Sequence, residues 1–90
     1  MFDLGMIVKT HGINTVMKEN EKFKYEVLSF LARYMSQDWG NLCDSDKKEN
    51  DKALLDNNRI LACYKSKEGE VYIITEADRS VTTIMFASEY

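Results

Sequence analysis

The densest group of chemically capable side chains is Glu76-Ala77-Asp78-Arg79-Ser80, followed at once by Thr82-Thr83. Two carboxylates beside a guanidinium could divide acid and base roles while the arginine clamps an anionic group. The same residues also make a turn, in which the Asp78 carboxylate accepts nearby backbone N–H groups and Arg79 bridges to it or to Glu76. The turn is the stronger reading. Glu76, Asp78 and Arg79 therefore stand as a candidate polar cluster, with a small enzyme built on them as an alternative function.

A second group lies in the middle of the chain. Residues 38–56 carry Asp38, Asp44, Asp46, Glu49, Asp51 and Asp56 against Lys47, Lys48 and Lys52, which accounts for the whole net charge of −3. Such a segment could face a basic partner, although a solvated helix surface is the commoner use of these residues. Trp39 abuts it. An exposed Trp is a frequent energetic anchor at protein interfaces, whereas a buried one with its indole N–H on a backbone carbonyl is the more usual fate. Asp38, Trp39, Asp44, Asp46 and Glu49 are the candidate partner-binding residues. As a calcium loop the acids fail, because the central glycine and closing bidentate acid are missing.

Metal and nucleophile chemistry are poorly provided for. His11 is the lone histidine, and Cys43 and Cys63 are the two cysteines, without the spacing of a closed four-ligand zinc site. Neither a metal nor a cofactor is expected. The cysteines are expected to be reduced apolar fillers. The glycines at 5, 12, 40 and 69 cannot form a phosphate cradle, and no nucleotide-binding or nucleophile-elbow motif occurs.

The elements that must position these groups divide the chain in two. Gly5–Thr10 is short and β-branched, which predicts an edge strand or extended lead-in. Thr10 can cap a short helix over Gly12–Glu19 with Ile13, Val16 and Met17 on one face, and Asn20–Lys22 reads as a polar break. Phe23, Val27, Phe30, Leu31 and Tyr34 recur with a period near 3.6, widened by Leu28 and Met35, and predict a helix to about Ser36. Gly40 then permits a turn. Asp46 and Glu49 have the spacing of a capping box, opening a third helix that runs to Asp56 and ends at Asn57-Asn58. Three β-branched runs, 60–64, 71–75 and 81–86, follow with short connections and predict an antiparallel meander.

The expected fold is one α+β domain of two layers, a three-stranded meander covered by two or three helices, with a short N-terminal strand as an option. Its 90 residues and 44% apolar content suit a single small core. No apolar run is long enough to span a membrane, and the acid at Asp3 with a short apolar stretch does not suit a signal peptide, so the cytoplasm is the expected location. The acidic balance counts against a broad nucleic-acid-binding face, although Tyr64 and Tyr72 on the sheet keep that alternative open. An uncovered sheet edge would let two copies pair as a homodimer.

Asp38-Trp39-Gly40-Asn41-Leu42, Asp46 with Glu49-Asn50 and Ala53-Leu54, Arg59–Tyr64, the stretch from Ile73 to Ile84 and terminal Ser88-Glu89-Tyr90 together resemble a small bacterial family. Its members are loosely labelled plasmid-related protein, and sometimes type I restriction subunit. The resemblance spans about Gly5 to Tyr90; His11 departs from it, standing where many relatives have a proline. It implies no catalytic residue. What it implies is a bacterial mobile element, hence a non-catalytic module that binds a protein partner. The alternative within that context is an inhibitor of a host defence nuclease acting through the acidic surface.

Overall fold

The hydrophobic stripe of the longest helix and the three β-branched runs after it dictate the architecture, which the computed structural model describes for residues 2–90. In chain order the elements are β1 (Met6–Lys9), α1 (His11–Glu19), α2 (Glu21–Met35), α3 (Asp44–Asp56), β2 (Ile60–Ser66), β3 (Gly69–Thr75) and β4 (Val81–Phe86), with a 3-10 turn at Ala87–Glu89. The fold is α+β. Strands β2, β3 and β4 form the antiparallel meander, and β1 joins its β4 edge in parallel, so the order across the sheet is β1-β4-β3-β2. Among the described residues no helix is long and apolar enough to cross a membrane.

Helix α2 lies over the meander and supplies most of the cover. Phe23, Val27, Phe30 and Tyr34 are buried on it, where the ring of Phe23 stacks on Phe86 of β4 and that of Phe30 on Tyr64 of β2. Leu28 does not belong to the stripe as expected. It lies off the buried arc and is 49% exposed. The polar break expected at 20–22 is also shorter than it reads, because Asn20 ends α1 and begins α2 at once. Its backbone N–H donates to Val16, while its side-chain oxygen accepts the N–H of Phe23 at 3.1 Å. One residue thus serves as C-cap and N-cap.

The start of α3 also differs from expectation. The helix opens at Asp44, with Cys43 as N-cap and no side-chain cap bond, so Asp46 and Glu49 do not form a capping box. Both lie inside the helix, one turn apart on its exposed surface. Its end is as the sequence predicts: Asn57 takes the left-handed conformation at φ 55°. The short apolar content of α3 buries only Asn50 and Ala53 and leaves Leu55 84% exposed.

A chain of hydroxyls runs through the centre of the core. The Thr82 hydroxyl is 2.6 Å from the Leu4 carbonyl, which can only accept, so Thr82 donates there. Thr82 must then accept from Thr75 at 2.8 Å, and Thr75 from Tyr34 at 2.6 Å. Every proton in the chain therefore points towards the N-terminal segment. All three hydroxyl residues are completely buried, and no buried side-chain oxygen or nitrogen among the described residues lacks a partner. Phe2 closes the same region, its ring edge-on to Tyr34 at 5.4 Å.

The order of the links sets the cost of cutting them. Thr82→Val leaves the Leu4 carbonyl without a donor and strands Thr75, and should destabilise the protein by about 2 kcal/mol. Tyr34→Phe removes only the first donor and should cost about 1 kcal/mol. Urea midpoints at constant m-value rank the two. Burial also pushes the Tyr34 phenol from 10.0 up to about 12. Because the unfolded chain loses that proton first, stability is intact below about pH 10 and falls as pH rises towards about 12. The gap between Tyr34→Phe and the parent should accordingly narrow between pH 9 and pH 11 in the same assay.

Candidate functional site

The loop from Glu76 to Ser80 joins β3 to β4 and turns sharply, with Arg79 in the left-handed region at φ 61°. That conformation is costly for a residue with a Cβ, and four carbonyl contacts hold it. One terminal guanidinium nitrogen donates to Asn58 at 2.8 Å, Glu76 at 3.2 Å and Ala77 at 3.5 Å, and the other donates to Ala53 at 3.0 Å. The partners are backbone carbonyls, not the carboxylates the sequence suggested. Two of them, Ala53 and Asn58, belong to the last part of α3 and the segment just after it, at the helix end whose dipole favours a cation.

The two carboxylates of the cluster turn elsewhere. Asp78 accepts the backbone N–H of Ser80 at 3.0 Å, and the Ser80 side chain first, then that N–H, hold its carboxyl below the ordinary value. Glu76 pairs with Arg59 at 3.6 Å, both side chains being well exposed. Glu76, Asp78 and Arg79 share a turn, but no side chain of the three bonds another.

In the 38–42 segment Trp39 is 3% exposed and packs edge-on against Tyr34. It cannot be an exposed anchor, which corrects its place among the contact residues. Its indole N–H donates to the Asp51 carboxylate at 2.9 Å, a side chain of α3 in place of the expected backbone carbonyl. Asp38 is half-exposed, but both oxygens have internal partners. Arg33 reaches them at 2.8 and 3.3 Å, and the Gly40 N–H donates to one at 3.1 Å. The Arg33 bond, followed by that of Gly40, holds the Asp38 carboxyl below its ordinary value. Gly40 has φ 78° and lies so close to the Cys63 carbonyl that a Cβ would collide with it.

This close approach closes the outer edge of the sheet. Cys63 of β2 receives the Asn41 N–H on its carbonyl at 2.7 Å and donates its own N–H to Trp39 at 3.3 Å. Two residues earlier, Asn50 of α3 bonds both backbone groups of Leu61 with its amide, at 2.9 and 3.3 Å. A side-chain amide here imitates a neighbouring strand. The outward groups of Leu61 and Cys63, which would otherwise make this edge strand a liability, are thereby covered.

Asp44, Asp46 and Glu49 are all exposed on α3. Asp46 and Glu49 line a shallow groove of about 260 Å³ together with Leu42, Asn50 and Leu61. The sequence reading missed those last three. Asn50 was within reach, because it stands three and four residues before Ala53 and Leu54 on the one side of α3 that can be buried. Leu42 and Leu61 carried no signal of their own. Among the described residues no three His, Cys, Asp or Glu side chains converge to hold a metal ion. Cys43 is exposed and so is no core filler. Cys63 is buried and donates to Glu70 at 3.1 Å, and burial first, then Glu70, push its thiol up to about 11. Comparison of the chain with family models, with curated proteins and with solved structures gives no match.

The arrangement makes Arg79 a bolt between the β3–β4 loop and α3. Arg79→Ala should destabilise the protein by about 3 kcal/mol through the lost bonds to four carbonyls, the left-handed strain being common to both residues. Arg79→Gly should recover about 1 kcal/mol of that, because glycine accepts the positive φ. Amide exchange in the last turn of α3 should rise in both variants.

Proposed function

We propose that the protein is a non-catalytic protein-binding module that meets its partner through the exposed face of α3. The observation that carries this reading is the groove beside α3, where Asp46 and Glu49 flank an apolar surface of Leu42 and Leu61. A small interface gains its energy where apolar surface leaves water, while charges at its rim set approach and orientation. The groove has both features. The side chains of the 76–80 loop, by contrast, are engaged in holding that loop and the end of α3.

The partner in this proposal presents a basic rim around an apolar contact. The resemblance to plasmid-related proteins adds the setting of a bacterial mobile element and a place in the cytoplasm. Inhibition of a nuclease by imitation of nucleic-acid phosphates is less well supported, since Lys47, Lys48 and Lys52 dilute the acids of the same helix.

Affinity capture from the source cells tests the reading, with the parent protein and an Asp44→Lys, Asp46→Lys, Glu49→Lys variant as baits. The parent should retain a basic protein in a salt-sensitive manner. The variant should lose it while remaining folded, its unfolding free energy lowered by about 2 kcal/mol or less, since Asp44 and Asp46 stand in the first turn of α3. Retention that is unchanged after this reversal contradicts the proposal.

A further inference from the structure

The two edges of the sheet are treated differently by the chain. The β2 edge is covered by Asn50 and by the backbone of residues 39–41. At the other edge, β1 runs beside β4, with the Met6 N–H donating to Ser80 and the N–H of Thr10, just past the strand, donating to Ile84. Because strand residues alternate in direction, the N–H and C=O of Ile7 and Lys9 point away from β4. Among the described residues no other strand lies beside them in the sheet. Met6 and Ile7 are 70% and 44% exposed.

A groove of about 510 Å³ lies on the helical side of this open edge. Lys9 of β1, Asn14, Met17 and Lys18 of α1 and Lys24 of α2 line it. Glu19 and Glu21 also reach it, so three lysines face two glutamates. The groove is therefore positive in a protein whose net charge is −3. Its position matters as much as its charge. A strand laid beside β1 would send every second side chain towards the helical layer, into this space.

We infer that the β1 edge, together with the lysine-lined groove, binds an extended acidic segment of another protein as an added fifth strand. The outward groups of Ile7 and Lys9 supply the ladder bonds, Ile7 and Met17 take an apolar side chain, and Lys9, Lys18 and Lys24 select carboxylates. This surface is opposite in charge to the α3 groove and lies at the other end of the sheet. It therefore stands or falls independently of the function proposed for α3.

The probe is a labelled seven-residue peptide, Thr-Val-Thr-Glu-Thr-Glu-Thr, whose one face carries a valine and two glutamates, with a lysine-for-glutamate peptide as control, read by fluorescence anisotropy. The acidic peptide should bind at least tenfold more tightly than the basic one and should slow amide exchange at Ile7 and Lys9. Lys9→Glu with Lys18→Glu and Lys24→Glu should weaken it at least tenfold. Ile7→Pro should do the same, since it removes an outward donor that the β1–β4 pairing does not use. The charge reversal decides the matter should the proline variant fail to fold. Absence of binding, equal binding of both peptides, or binding indifferent to the charge reversal overturns the inference. So does a free protein whose Ile7 and Lys9 amides are already protected in a dimer, because the edge then belongs to a second copy.

Discussion

The structure depends on a single polarised row of hydrogen bonds, Tyr34 to Thr75 to Thr82 to the Leu4 carbonyl. A lone buried hydroxyl would cost free energy, and a row with one mismatched member would cost more. Here the terminal carbonyl fixes the sense of every donor, and each group is satisfied. The row joins α2, β3, β4 and the segment before β1, which are far apart in sequence. It also explains how a strand of only four residues stays attached in parallel at the β4 edge. Leu4 is held from inside the core immediately before that strand begins.

The interior aromatic groups are arranged around the same row. Tyr34 meets the rings of Phe2 and Trp39, and Trp39 reaches on to Asp51 of α3. Helix α3 buries little of its own surface, so it relies on such tethers. The indole bond, the Asn50 amide and the Arg79 guanidinium hold its middle and its end against the sheet. The architecture thus leaves most of the helix surface, with its acids, open to solvent.

The helical stripe was legible because its periodicity is strong, and the three strand runs because they are rich in β-branched and aromatic residues. Turn and cap residues were legible where local chemistry decides, as at Thr10, Gly40, Asn57 and Asp78. What the chain concealed depends on pairing across long separations. Asp46 and Glu49 have capping-box spacing, yet the helix is capped three residues earlier, where Cys43 takes the extended N-cap conformation. Trp39 stood next to an acidic segment and was counted among contact residues, but the closing of the β2 edge draws it inside. Thr75 and Thr82 did carry a signal: they occupy the same strand faces as Ile73 and Ile84, where an apolar residue is the rule. Of the candidate sites, the acids of α3 were visible from charge alone. The groove beside them was not, since it is assembled from a loop, a helix and a strand.

The hydroxyl protons themselves offer the most direct test of the claim that this row organises the fold. In a nuclear magnetic resonance spectrum at neutral pH, the Thr75 and Thr82 hydroxyl protons should be visible as separate, slowly exchanging signals. The Thr82 proton should lie closest to the Leu4 carbonyl and the Thr75 proton closest to Thr82. Hydroxyls that exchange rapidly with water, or a Thr82 proton directed towards Thr75, would contradict the account.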